Sequence, residues 1–393
     1  MKFYIVGLDD GEEPAFGGEI RSLFASHTVF SGGRRHYQLV KDRLPSSCVW
    51  IDITVPLEDV FSQYEAYDEI VVFASGDPLF YGFANTVRKC LPEAEIKVYP
   101  RFHSLQVLAH RLVLPYQDMH MVSLTGRSWQ EFDRALIEGR EKIGVLTDRH
   151  HTPSVIARRM LEYGYDNYRM SVGAKLGNTE EKIGEFSLQE VAGKEFDFPN
   201  CLILERIAIR RRRFGIPESE FYVLNGRVKM ITKMPVRLLT LSMLDLHNRK
   251  IFWDIGFCTG SVSIEARLQF PHLEITAFEQ RNEGVVLMEA NTHKFGTPGI
   301  TTVIGDFTQA DLSAYSAPDA VFIGGYGGKM EAMLSVLSAS MQRGGILVFN
   351  SVSEESSQLF CQLGPQYGFP VTVSRRVAVD DYHPIEVIQA VLS

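Results

Sequence analysis

The feature that most limits what this chain can become is a repeated alternation, interrupted once. Short apolar runs rich in Val and Ile recur at "FYIVG" (3–7), "EIVVFAS" (69–75), "IKVYP" (96–100), "MHMVSLT" (119–125) and "KIGVLTD" (142–148). Between them "EIRSLFA", "LFYGFANTVRKCL", "SLQVLAHRL", "SWQEFDRALIEG" and "SVIARRMLEYG" place apolar residues with the 3.6-residue period of a helix. Such alternation predicts an α/β chain with a doubly wound sheet and crossover helices, and "NCLILERIAI" (200–209) closes the series with one more strand. The stretch "RRRRFGIPESEF" (210–221) then breaks the pattern with four arginines, a glycine, a proline and acids, which predicts a solvated linker and a domain boundary. We therefore expect one domain over 1–210 and another over 211–393.

Beyond the break a second series begins. "KIFWDIG", "LEITAFEQ", "GITTVIGD", "APDAVFIGG" and "GGILVFN" read as strand-and-turn units joined by helices such as "SVSIEARLQF" and "NEGVVLMEANTHKF". "FPVTVSRRVAV" and "EVIQAVLS" read as a final antiparallel pair. The two series do not repeat one another. At 393 residues with 45% hydrophobic and 22% charged side chains, the chain can fill two cores. No window is apolar enough to cross a bilayer, and "MKFYIVGLDD" reads as a strand rather than a signal segment. Five cysteines without CxxC spacing point away from disulfides and zinc and toward a reducing cytoplasm. A net charge of −8 argues against sequence-independent binding of nucleic acid, so small molecules are the expected partners.

The strand exits carry the chemistry. In "WDIGFCTG" (253–260) an apolar strand meets a glycine turn that opens a helix, where N–H groups suit an anion. Asp254, Gly256 and Gly260 fit a cofactor loop, although Cys258 stands where glycine is expected. Glu279 ends the next strand, where a carboxylate can accept ribose hydroxyls, and Gly305–Asp306 end the third, where adenine would lie. The dinucleotide fingerprint GxGxxG is absent, yet NAD and S-adenosylmethionine both fit an acid at this position. In the first series "ASGDPLFYG" (74–82) places Ser75, Gly76, Asp77 and Pro78 at one strand exit. Taken alone, that string is equally a helix start capped by Asp77 or Ser75.

The first half resembles the tetrapyrrole methylases, through "ASGDPLFYG", "VFSGGRRHYQLV", "PRFHSLQVLAHRLVLPYQDMHMVSLTGR" and "VLTDRHHTPSVIARRMLEYG". The second resembles the seven-stranded methyltransferase pattern, through "GRVKMITKMPVRLLTLSML", "WDIGFCTGSVSIEA" and "PDAVFIGG". In this order the whole is similar to the precorrin-6Y methyltransferases, fusions of two methyltransferases. The resemblance implies a two-lobed methylase domain followed by a Rossmann-like class I domain, each with S-adenosylmethionine. It implies methylation of a precorrin at C5 and C15, with loss of an acetate carboxylate, in cobalamin biosynthesis. The substrate would be metal-free or cobalt-bound, and a scaffold protein with one degenerate half is the non-enzymatic alternative.

Under the resemblance, Ser75, Gly76, Asp77, Phe80, His103, Ser104, Thr125 and Gly126 hold the donor in the first half; Asp254, Gly256, Gly260, Glu279, Gly305 and Asp306 hold it in the second. The loop "GLDDGE" (7–12) departs from the usual GxGPGD. Carboxylates on the ring call for bases: Arg34, Arg35 and Arg127 are candidate substrate ligands, and Lys233, Arg237, Gly324 and Gly325 candidate residues of the second active site. No metal site is expected; adjacent His150 and His151 point apart. Homo-oligomers are expected, without nucleic acid or membrane partners.

Overall fold

Three sheets organise the chain, and each brings particular strand ends together. The computed structural model describes residues 1–9, 16–224, 230–380 and 383–393. It falls into two units: Met1–Arg127, Glu141–Arg158 and Tyr168–Ile207 form one, and Ser128–Arg140, Arg159–Asn167 and Ala208–Ser393 the other.

In the first unit, β1 (Lys2–Leu8), β2 (Val29–Gly32), β3 (Val49–Asp52), β4 (Glu69–Ser75) and β5 (Glu95–Tyr99) form a parallel sheet in the order β3-β2-β4-β1-β5. Side chains alternate along β1: Phe3 and Ile5 enter one core, Val6 and Leu8 the other. Burial on both faces is what a sheet covered by crossover helices requires. The order reverses beside β1 and β4, so their C-terminal ends, Leu8 and Ser75, flank a crevice.

The periodicity predicts a single doubly wound sheet here, and the structure corrects this. A second sheet holds β6 (His120–Ser123), β7 (Lys142–Leu146), β8 (Tyr168–Ala174), β9 (Lys182–Ser187) and β10 (Asn200–Arg206) in the order β6-β7-β10-β8-β9. The run "NCLILERIAI" does not extend the first sheet. It inserts antiparallel between β7 and β8. Cys201, Leu202, Ile203 and Leu204 are all fully buried, and a central position satisfies both their side chains and their backbone. The two-lobed form implied by the resemblance matches these two sheets.

In the second unit, β11 (Ile251–Ile255), β12 (Glu274–Glu279), β13 (Ile300–Ile304), β14 (Ala320–Ile323), β15 (Ile346–Ser351), β16 (Val371–Val377) and β17 (Ile385–Val391) form one sheet, β13-β12-β11-β14-β15-β17-β16. The first five are parallel and β17 is antiparallel to both neighbours. The chain steps outward from β11 to β13, then returns to β14 on the other side of β11. That reversal opens a crevice beyond β11 and β14. Trp253, Ile255 and Phe278 pack on one face, Phe252, Ile275 and Phe322 on the other. Among the described residues no helix is long and apolar enough to cross a membrane.

Candidate functional sites at the strand ends

After β11 the chain reverses through Gly256–Gly260 into the helix Ser261–Gln269. Gly256 has φ 78°, and a Cβ there would lie 2.9 Å from the Gly325 nitrogen, so the end of β14 leaves room for no side chain. Gly260 has φ 76°, and a Cβ would run into the Met288 sulfur. Cys258 also adopts a left-handed backbone, φ 52°. For a residue with a Cβ this costs roughly 1–2 kcal/mol. Two contacts offset it: the Cys258 N–H donates to Glu279 Oε2 at 2.9 Å, and Sγ donates to the Met230 carbonyl at 3.0 Å.

Asp254 lies beneath the loop, fully buried. Its Oδ2 accepts the Ser263 N–H at 3.1 Å and the Ser263 hydroxyl at 2.5 Å, fixing the start of the helix, while Oδ1 has no partner. Burial pushes its carboxyl up to about 7. Glu279 and Asp306 stand at the ends of β12 and β13. Glu279 Oε1 accepts the Arg281 N–H at 3.0 Å and pairs with Nη1 at 3.1 Å. Asp306 Oδ1 accepts the N–H and hydroxyl of Thr308 at 3.0 and 2.8 Å, and Oδ2 pairs with Lys329 Nζ at 2.5 Å. The ammonium and the Thr308 bonds hold the Asp306 carboxyl below its usual range.

These strand ends enclose a cavity of about 590 Å³. Gly256, Glu279, Gly305, Asp306, Gly324, Gly325 and Lys233 all line it; Asp254 and Gly260 do not, and instead fix the start of the helix Ser261–Gln269. Arg237 requires a correction. Its guanidinium is wholly buried, bonded to Glu265 at 3.2 Å and to the carbonyls of Thr232 and Ile216. Glu265 in turn accepts the N–H groups of Gly215 and Ile216 at 2.8 and 3.1 Å. Arg237 thus ties the linker to the helix Met234–Met243 and cannot reach a ligand in the cavity. Arg281, Lys329 and His383 line the cavity without belonging to any motif that sequence reasoning singled out.

In the first unit, Gly76 (φ 61°) follows β4 and donates its N–H to the Leu8 carbonyl at 2.7 Å. A Cβ on Gly7 would collide with the Gly76 carbonyl and lie 2.9 Å from the Arg101 nitrogen. Asp77 Oδ1 accepts the Leu79 N–H at 2.8 Å, closing a turn, and the helix begins only at Phe83 behind Gly82. Neither Asp77 nor Ser75 caps that helix; the Ser75 hydroxyl meets His36 Nε2 at 3.0 Å. Arg34 and Arg35 open the helix that carries His36.

His103 caps the helix Ser104–Arg111 and stacks on Phe80 with centroids 3.7 Å apart. Burial pushes its imidazole down to about 4, so it is neutral at pH 7. The Thr125 hydroxyl donates to the Thr147 carbonyl at 3.1 Å, and the Gly126 N–H to Asp148 at 3.0 Å. Arg127 covers the Tyr81 ring at 4.7 Å. Phe80, Tyr81 and Arg127 line an open depression of about 440 Å³. His150 and His151 give their backbone N–H groups to Asp148, and the described residues hold no cluster of three metal-ligating side chains. Of "GLDDGE", residues 10–12 lie outside the described residues, as do 226–229 of "GRVKM".

The second cavity has what an adenosyl group needs: a glycine turn, an acid for a diol, an acid for an amino group, and open space beside Gly305. Two family models match the chain: tetrapyrrole (corrin/porphyrin) methylases over residues 54–192 and a precorrin methyltransferase domain over 222–390. A precorrin-6Y C(5,15)-methyltransferase (decarboxylating) of Sinorhizobium sp. is 29% identical over 355 residues, 89% of this chain and 84% of that one. A cobalt-precorrin-6B C(15)-methyltransferase (decarboxylating) of Salmonella typhimurium is 38% identical over 133 residues, 34% of this chain and 68% of that one. Among solved structures, a precorrin-6y C5,15-methyltransferase from Geobacter metallireducens is 30% identical, covering 46% of this chain and 98% of that one, with a TM-score of 0.42.

Proposed function

Because the chain belongs to the precorrin-6Y C5,15-methyltransferase (decarboxylating) family, we propose that it transfers two methyl groups from S-adenosylmethionine to a precorrin ring and removes one acetate carboxylate. The first unit serves C5; the second serves C15 and the decarboxylation. One observation carries the reading: Gly256, Glu279 and Gly305–Asp306, at three successive strand ends, line one cavity.

The donor, when bound, supplies an electrophilic sulfonium methyl. What the protein must supply is position and exclusion of water. An enamine-like ring carbon gives its electron pair to the methyl carbon, the methyl–sulfur bond breaks with its electrons on sulfur, and a proton leaves the ring. In the decarboxylation the C–CO₂⁻ bond pair enters the conjugated ring, carbon dioxide departs and a proton quenches the carbanion. No protein nucleophile is required. In the first unit Gly76 and Asp77 shape the donor loop, and Ser75, Phe80, His103, Ser104, Thr125 and Gly126 bound its site, with Arg34, Arg35 and Arg127 toward ring carboxylates. In the second, Glu279 takes the ribose, Asp306 the adenine, and Lys233 faces the ring beside Gly324 and Gly325; Asp254 and Gly260 hold the loop. We place the domain boundary after Arg210. The same reading includes a cytoplasmic homo-oligomer without nucleic-acid or membrane partners.

Incubation of the full chain with methyl-labelled donor and a precorrin-6Y-type ring tests this by mass spectrometry. Two labelled methyls and loss of carbon dioxide are expected; no labelled methyl on the ring defeats the reading. A cobalt-bound ring is the second reading, favoured by the cobalt-precorrin relative at 38% identity. Relative turnover of metal-free and cobalt-loaded rings separates the two.

A further inference from the structure

Each acid that the second cavity offers to an adenosine is already held by a base on the same wall. Asp306 spends Oδ1 on Thr308 and Oδ2 on Lys329. Glu279 spends Oε2 on the Cys258 N–H, which keeps the loop in place, and Oε1 on Arg281. Lys329 and Arg281 are partly exposed, and both line the cavity together with Lys233. Lys329 follows Gly327 and Gly328, which have φ 55° and 77°, so its segment can turn without steric cost.

We propose that these two ion pairs couple the binding of the donor to that of the ring. Asp306 exchanges Lys329 for the adenine amino group, and Glu279 exchanges the Arg281 guanidinium for ribose hydroxyls. The two released cations then face the carboxylates of the tetrapyrrole. The proposal rests on the reading that this cavity takes an adenosyl donor and a polycarboxylated ring. Partly exposed ion pairs are weak, so breaking either costs the donor at most about fivefold in affinity. The ring recovers that cost, because a polyanion meets two unpaired bases only when the donor is present. Donor and ring therefore strengthen each other by a common factor. The ring alone finds both bases engaged.

Calorimetry on the full chain tests this without turnover, using S-adenosylhomocysteine as the donor probe and uroporphyrin as the polycarboxylated ring. In the wild type, each ligand should tighten the other, on the order of tenfold. Lys329→Met should bind S-adenosylhomocysteine equally or a few-fold tighter, bind uroporphyrin more weakly, and lose most of the mutual strengthening. Arg281→Met should do the same to a smaller extent. Both side chains are partly exposed, and Lys329 belongs to the second unit, so the difference from wild type reports that site. Weaker donor binding in Lys329→Met, or unchanged strengthening in both variants, would overturn the coupling. If Gly256→Ala leaves S-adenosylhomocysteine binding unaltered, the cavity is not a donor site, and the functional reading falls with the proposal.

Discussion

Gly76 is the first residue after β4 and Cys258 the third after β11, and both have left-handed backbones, φ 61° and 52°. In the first unit glycine adopts that conformation freely, and the loop is held by the Gly76 N–H on the Leu8 carbonyl and by the Leu79 N–H on Asp77. In the second a cysteine accepts the strain and is held by Glu279 and by the Met230 carbonyl. The ionisable groups behind the loops differ in sign as well. His103 is buried as the neutral base, whereas Asp254 is buried with one oxygen unpartnered and its carboxyl raised to about 7. Both loops combine backbone and side-chain bonds, but only the second ties a carboxylate that lines its cavity, Glu279, to its own backbone.

The sharpest way to break this comparison is to add one methyl group to each loop. Gly7→Ala would drive a Cβ into the Gly76 carbonyl, and Gly256→Ala would force one against Gly325 at φ 78°. Neither obstacle is a flexible side chain, so each should cost about 3 kcal/mol locally and abolish one methylation. Methyl counting by mass spectrometry should show Gly7→Ala losing only the first transfer and Gly256→Ala only the second. Loss of both in either variant would mean the sites are not independent.

Acid should act on the two units in opposite directions. The Asp254 carboxyl rises from 3.8 to about 7, so its contribution is full below pH 3.8 and about 4 kcal/mol is lost as pH climbs to about 7. The His103 imidazole falls from 6.5 to about 4, so its contribution is full above pH 6.5 and about 2–3 kcal/mol is lost as pH drops to about 4. Hydrogen exchange read unit by unit checks this: Asp254→Asn should flatten the pH slope of the second unit, and His103→Asn that of the first. Parallel slopes in the variants and the wild type would refute the assignment.

The smallest effect sharpens the account of Cys258. Cys258→Gly removes the left-handed strain but adds unfolded-chain entropy and deletes the Sγ contact, for a net gain of about 0.5 kcal/mol. Thermal unfolding should show a rise of a degree or two, and a fall would mean that the Met230 contact outweighs the strain.

Much of this was legible in the amino-acid order. The runs that became β11 to β15 are mainly apolar rather than strictly alternating, as parallel strands covered on both faces tend to be. The four-residue strands β2 and β3 are too short to show a period, and β8 and β9 pair without an intervening helix, so the alternation rule passes over them. "LFYGFANTVRKCL" carries a helical pattern, yet its first four residues are turn, because Asp77 and Gly82 hold the chain in a bend. Glycines and acids at strand exits were readable from their offsets after each apolar run. Arg237 was misread because a motif records which base is present and not that Glu265, 28 residues on, buries it. Lys329 and Arg281 carry no motif at all; Arg281 follows Glu279 by two residues, but only the folded sheet brings Lys329 beside Asp306.

The bond between Glu265 and the linker has a practical consequence for anyone cutting the chain. A fragment begun at Tyr222, where the family match starts, would discard Gly215 and Ile216 and strip a buried carboxylate of two donors and Arg237 of an acceptor. An expression boundary that keeps the second catalytic half intact has to fall upstream of Gly215.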